Sequence, residues 1–188
     1  MNERIAPLRP ERMSAEQKSA AADLAAGPRG GVRGPFIALL RSPQLMNRLQ
    51  KVGEYLRYHS VLERRISEFA MLIVSRRLTQ QFEWQVHYPL ALSAGLHKEL
   101  ADALAQGARP RGMSHDEEVT YDFCAELLQH HGVSDATYRR ALECLAEQGV
   151  VELAGLVGYF ITVSLVMNVA HTPAKPGNGV APLEPFPR

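Results

Sequence analysis

Cysteine is scarce in this chain, with two residues among 188, Cys124 and Cys144. Their separation fits neither the C-x-x-C spacing of a redox pair nor the spacing of zinc ligands. Because a free cysteine is most often a small buried apolar residue, we expect two reduced, buried thiols. The scarcity therefore argues against a dithiol centre or a cysteine-ligated metal.

An excess of one charge is also missing. The 21 Lys and Arg residues balance 20 Asp and Glu, and no long run of either sign occurs. This balance argues against nucleic acid or an anionic membrane as the main partner. The first residues, MNERIAPLRPERMSAEQ, contain no apolar segment of the kind found in secretory signals, so we expect a cytoplasmic protein.

An unbroken apolar stretch of the roughly 20 residues that span a bilayer is not found either. The most apolar segment, residues 153–170, is interrupted by Thr162, Ser164 and Asn168. We interpret it as a helix that is buried in the core or shared between subunits, and we expect no membrane partner.

Alternating apolar and polar residues, the pattern of a half-buried strand, are absent, as are the GxGxxG, P-loop, HExxH and GxSxG motifs. Helical signals are frequent instead. They include three S-x-x-E/Q capping boxes, which are Ser14/Gln17, Ser60/Glu63 and Ser114/Glu117. Gly149 is predicted to end the helix that precedes the last one, and the last helix is predicted over 150–170. The sequence predicts one all-α domain over 1–188, with about seven or eight helices and an extended or disordered tail at 171–188.

One predicted helix, in the stretch QQFEWQVHYPLALSAGL, carries a candidate acid–base pair. Glu83 and His87 are four residues apart, so the carboxylate can accept a proton from the imidazole and fix its tautomer. Trp84 could form an apolar wall beside the ring. A helical Glu/His pair is more often structural, so the spacing alone leaves a core or surface role open.

The longer stretch SEFAMLIVSRRLTQQFEWQVHYPLALSAGL resembles the carboxymuconolactone decarboxylase family, which includes the alkylhydroperoxidase D-like proteins. In the redox members of that family, a glutamate is followed by C-x-x-C and by a histidine four residues after the second cysteine. Glu68 matches the glutamate and His87 the histidine, whereas Gln80 and Glu83 stand where the cysteines would be. With two further similar segments, the resemblance covers about residues 33–170.

The resemblance implies an all-α fold that assembles into homotrimers or homohexamers, with active sites near subunit contacts. It also implies a lyase that acts on a small carboxylated lactone or related cyclic acid, and we expect neither a cofactor nor a metal. His87 would be the proton donor or oxyanion partner, oriented by Glu83 or Glu68, with Trp84 helping to exclude water. Arg33, Arg41 and Arg76 are candidates to bind the substrate, although such arginines are more often solvated.

Two other functions stay open. A non-catalytic binding or assembly protein could retain the same fold, and it would differ from an enzyme if Glu68, Glu83 and His87 were sealed by packing instead of meeting at a cavity. A hydroperoxide reductase would need a thiolate at the reacting centre. Since the chain offers Gln80 and Glu83 there, this activity is the less favoured alternative.

Overall fold

The computed structural model describes residues 3–174 and 179–185, and in these residues it contains α-helices and no β-strand. The predicted all-α fold class is confirmed. The helices are α1 (Ala15–Ala26), α2 (Pro35–Leu39), α3 (Pro43–Tyr58), α4 (Arg64–Arg77), α5 (Gln81–Ser93), α6 (Lys98–Ala105), α7 (His115–His130) and α8 (Asp135–Ala170).

Two of the three predicted capping boxes begin helices. The Ser14 hydroxyl accepts from Gln17 N, and the Gln17 side chain accepts from Ser14 N in return, at the start of α1. At the start of α7, the Glu117 carboxylate accepts from Ser114 N at 2.7 Å. Polar side chains thus satisfy backbone N–H groups that have no partner within the helix.

The capping box predicted at Ser60 and Glu63 is wrong. Helix α4 begins later, at Arg64, with Glu63 as an N-cap whose side chain makes no capping bond. The Ser60 hydroxyl instead donates to the Glu152 carboxylate of α8 at 2.5 Å. The Ser60 hydroxyl therefore binds a buried carboxylate of a helix that is distant in the sequence. The spacing of Ser60 and Glu63 could not indicate this partner.

The predicted helix end at Gly149 lies three residues from an interruption in the structure. The helical run Asp135–Ala170 contains two helices that meet at a kink at Ala146, with φ 57° and ψ 173°. Gly149 therefore lies in the first turn of the second of these helices, whose side chains Leu153 and Phe160 are buried in the core.

Helix α4 lies at the centre of the fold. Every residue from Ile66 to Arg76 is buried, and α4 packs against α5, α6, α7 and α8. The apolar side chains of these helices form the main core, and a smaller cluster around Leu24 and Met46 joins α1, α2 and α3. Because α4 is covered on all sides, a charged residue in its middle must find its partner inside the protein.

By length and composition, α8 could cross a membrane, but 56% of its most apolar stretch is buried within this chain. A core helix of a globular protein has the same properties. The helix also leaves Val151, Leu165 and Val169 on the surface, and α3 exposes Val52. These apolar side chains suit the predicted self-association, which a single chain does not test and which stays a prediction.

The described part of the C-terminal tail, residues 171–174 and 179–185, contains no helix or strand. Leu183 is buried, and its backbone N–H and C=O both bond to the side-chain amide of Gln81, at 2.8 and 2.6 Å. This part of the tail is therefore irregular but packed on the start of α5. The rest of the predicted tail, 175–178 and 186–188, lies outside the described residues.

Candidate active site

Gln80 begins the helix that carries the candidate acid–base pair. As the N-cap of α5, its side-chain oxygen accepts from Phe82 N at 2.7 Å and from Glu83 N at 3.4 Å. Its amide nitrogen donates to the Asn168 side chain of α8 at 2.9 Å. Gln80 thus performs a capping role and fixes the start of α5 against α8.

His87 is held between two glutamates. Its Nδ1 lies 2.6 Å from Glu68 Oε2 on α4, and its Nε2 lies 3.2 Å from Glu83 Oε2 one turn earlier on α5. The three residues are between 1% and 5% exposed. The sequence left open which glutamate orients the imidazole, and in the structure each one binds a different ring nitrogen.

The two carboxylates favour the charged form of the histidine. Burial alone would lower the pKa of His87, but the hydrogen bonds to Glu68 and Glu83, together with their charges, outweigh burial and raise this pKa. Both ring nitrogens of the imidazolium then donate, which fixes the ring plane. The Phe160 ring meets the His87 ring edge-on, with 5.2 Å between the centroids. The arrangement therefore favours an imidazolium whose Nε2–H faces the Glu83 carboxylate.

A cavity of about 490 Å³ lies over this pair. Glu83 and His87 line it from α5, while Glu68 stands behind the histidine and does not line it. The other walls come from the loop before α2, the end of α3 and the middle of α8. Two of the three predicted site residues, Glu83 and His87, therefore line a cavity, and Glu68 does not.

A glycine allows the loop before α2 to close over α5. Gly34 has φ 54°, and a Cβ on this residue would lie 2.4 Å from the Phe82 ring. Any other residue would combine an unfavourable left-handed backbone with a clash. The loop thereby brings its arginines close to the acid–base pair.

Three arginines, Arg29, Arg33 and Arg57, line the cavity. Arg33 is the one that the sequence singled out; Arg29 and Arg57 were missed. The missed signal for Arg29 was its place in GPRGGVRGP, where glycines allow the backbone to approach a neighbouring helix. No comparable local signal marks Arg57, which comes into the site through the packing of α3.

Three other candidates lie elsewhere. Trp84 is buried in the core, with its ring 5.5 Å from that of Tyr88, so it does not line the cavity. Arg41 donates to Ala6 O at 2.8 Å on another surface.

Arg76 is also placed outside the site. It donates to Glu184 O at 2.7 Å and lines a separate, smaller cavity. Eight residues after Glu68, it lies roughly 12 Å further along α4 at a rise of about 1.5 Å per residue. A shared helix therefore does not give these two residues a shared site.

Neither cysteine belongs to this site. Cys124 is fully buried on α7, where burial raises the pKa of its thiol to about 12. Cys144 lies on α8, and burial is also the main reason that its pKa is raised. Neither residue lines the cavity. In the described residues, no cluster of three or more His, Cys, Asp or Glu side chains has the arrangement of a metal site.

Replacing both cysteines with alanine is expected to leave any activity intact. The cost should be about 1–3 kcal/mol of unfolding free energy, from the space left in the core, most of it at Cys124. Turnover and urea unfolding of C124A/C144A measure the two effects separately. Loss of turnover in a folded double variant would contradict this prediction and point to a thiol mechanism.

No protein-family model and no curated protein matches the chain. A solved structure of an alkylhydroperoxidase AhpD core, an uncharacterized peroxidase-related protein from Ralstonia eutropha JMP134, matches with a TM-score of 0.74 and 14% identity over 93% of each chain. A second, ATU0492 from Agrobacterium tumefaciens, is a protein of unknown function assigned provisionally to AhpD antioxidant defence. It matches with a TM-score of 0.63 and 12% identity over 73% of this chain and 94% of that chain.

The TM-scores of 0.74 and 0.63 show that the fold is shared, and identities of 14% and 12% are too low to show a shared activity. The chain has the AhpD-like helical fold.

Proposed function

We propose that this protein is an enzyme that transfers a proton to a small carboxylated substrate, with His87 as the donor. The observation that carries the proposal is the position of Glu83 and His87 on the wall of a cavity that also bears three arginines. The arginines supply three positive charges, while the Glu68–His87–Glu83 cluster with a protonated histidine carries one net negative charge. The cavity thus attracts an anion and holds a proton beside it.

The proposed reaction is a decarboxylation of the carboxymuconolactone decarboxylase type. The bond between the ring carbon and the carboxylate breaks, carbon dioxide leaves, and the electron pair is delocalised onto the lactone carbonyl. His87 then gives its Nε2 proton to the carbon, directly or through Glu83, while Glu68 keeps the imidazole in place through Nδ1. The positive charge around the cavity stabilises the oxyanion that forms.

Two alternatives receive less support. A non-catalytic binding or assembly protein does not explain why Glu68, His87 and Glu83 are buried together beside a cavity, because burying three ionisable groups is costly. A hydroperoxide reductase is favoured by the names of both structural neighbours, which refer to alkylhydroperoxidase and to AhpD antioxidant defence. It needs a reactive thiolate, and Gln80 and Glu83 take the positions where the resemblance places the cysteines.

The test is carbon dioxide release from a set of small carboxylated lactones in D₂O, with deuterium at the vacated carbon of the product as the second readout. Glu83→Gln is expected to lower turnover about 10- to 10²-fold, because it keeps a hydrogen-bonding group but loses the charge beside Nε2. Glu147→Gln, at an exposed position of α8, is the matched control and should change nothing. Failure to release carbon dioxide from every member of the set, or full activity of Glu83→Gln, would contradict the proposal.

A further inference from the structure

Arg29 has hydrogen-bonding groups that the protein satisfies poorly. Its Nε and Nη2 atoms are buried and neither makes a hydrogen bond of good geometry within the described residues, although the Tyr159 hydroxyl is close enough to interact with the guanidinium. Its guanidinium lies over the Phe36 ring, with Cζ 4.7 Å from the centroid. Nε and Nη2 form one edge of the guanidinium, which binds a carboxylate through two parallel hydrogen bonds. Since leaving buried donors unmet is costly, this edge is suited to a ligand acceptor.

Tyr159 lies beside the same edge. A Cβ built on Gly53 of α3 would lie 2.2 Å from the Tyr159 hydroxyl oxygen and 2.6 Å from Arg29 Nη2. The Tyr159 hydroxyl and the Arg29 guanidinium therefore both lie against Gly53, and a side chain at position 53 would clash with both. Both side chains line the cavity.

The Tyr159 hydroxyl can act as a donor to an anion. The residue is 6% exposed, and burial, as the largest cause, raises the pKa of its phenol. The charge of Arg29 lowers this pKa and that of Glu83 raises it, so Tyr159 lies within electrostatic reach of both groups. Its neighbour Phe160 contacts the His87 ring. An anion bound by Arg29 and Tyr159 would thus lie close to the acid–base pair.

We propose that Arg29 and Tyr159 form the subsite that binds a carboxylate of the substrate, and that Gly53 provides the space they share. The guanidinium binds the carboxylate through Nε and Nη2, and the phenol donates a further hydrogen bond. Both side chains already line the cavity, so a small rotation of the guanidinium is enough to present its edge to a bound carboxylate. This inference rests on the proposed function for its choice of a carboxylated substrate.

The test measures binding of a stable lactone carboxylate, 5-oxotetrahydrofuran-2-carboxylate, and of its neutral amide by titration calorimetry at millimolar concentration. Arg29→Gln is expected to weaken carboxylate binding at least ~10-fold, the loss of a charge-assisted pair of hydrogen bonds, and to leave amide binding unchanged. Tyr159→Phe should weaken it about 3- to 10-fold. Arg41→Gln is the matched control, since Arg41 does not line the cavity, and should bind like the wild type.

Two further variants guard against loss of fold. Arg29→Lys keeps the charge without the planar edge, so its affinity should fall between those of the wild type and Arg29→Gln. Gly53→Ala removes no functional group, yet its added methyl displaces Tyr159 and Arg29, and it should weaken carboxylate binding as Arg29→Gln does. Circular dichroism checks the helical content of each variant.

The result that would overturn the inference is carboxylate affinity in Arg29→Gln and Arg29→Lys equal to that of the wild type. A wild type that binds the carboxylate no better than the amide would overturn it too. Glu83→Gln separates this inference from the proposed function, because it should still bind the carboxylate. Full turnover by Glu83→Gln together with lost carboxylate affinity in Arg29→Gln would reject the acid–base role and keep the subsite. Lost turnover in Glu83→Gln together with unchanged carboxylate affinity in Arg29→Gln would keep the acid–base role and reject the subsite.

Discussion

Replacing His87 with glutamine is expected to lower turnover by about 10²- to 10⁴-fold, the usual contribution of a positioned acid–base group. Glutamine has a similar size and can still bond to a carboxylate, but it cannot deliver a proton at neutral pH. The same variant should also lose stability, because Glu68 and Glu83 would keep buried carboxylates without the imidazolium between them. The burial of the cluster therefore predicts a loss of stability in addition to the loss of rate.

Turnover and urea unfolding must therefore be measured on the same His87→Gln protein, at a temperature where it is folded. If His87 serves only as scaffold, the midpoint of unfolding will shift while turnover per folded molecule stays at the wild-type level. That outcome would end the assignment of His87 as proton donor. Loss of rate beyond the loss of folded protein supports it.

The pairing of Glu83 with His87 could be predicted from the sequence because it depends only on the helical repeat. Glu68 came from the resemblance, in which order and spacing place a glutamate before the histidine. What neither source indicated is that the two carboxylates bind opposite sides of the ring. That geometry depends on how α4 and α5 cross, which is a property of the whole core.

The residues that line the cavity were harder to predict from the sequence than the acid–base pair. Arg29 and Tyr159 are 130 positions apart in the chain, and they meet because Gly53 of α3 lets them approach. Trp84 illustrates the opposite case, since a residue next to Glu83 on the helix faces the core instead of the cavity. In a helix that is buried on several sides, periodicity shows that a residue is inside without showing what it faces.

The helices themselves were more predictable than their ends. Ser14 and Gln17 form the expected reciprocal box, and at Ser114 the Glu117 carboxylate still accepts from the backbone although Arg65 binds it as well. Ser60 fails because Glu152 offers a stronger, charge-assisted bond. The break in α8 falls at Ala146, three residues before the predicted helix end at Gly149, so the sequence predicted the boundary but not its position.

Replacing Glu68 with alanine is expected to cost about 3–5 kcal/mol of unfolding free energy near pH 6, because it leaves the buried imidazolium without its closer partner. The loss should depend on pH. The folded pKa of His87 is raised above its ordinary value near 6.5, so the stabilisation from its protonated form is fully present below that value. It is lost as the pH rises through the folded pKa. The difference in stability between wild type and Glu68→Ala should therefore shrink at alkaline pH.

Urea unfolding of both proteins at a series of pH values from 5 to 10 measures this difference. Glu63→Ala is the matched control, since the Glu63 side chain is largely exposed and its ion pair with Arg65 is at the surface, where such pairs contribute at most about 1 kcal/mol. Its effect should be small and nearly the same at every pH. A Glu68→Ala deficit that is constant across the series would show that the carboxylate only fills space. In that case the protonated histidine, and with it the proton that the proposed reaction uses, would have to be abandoned.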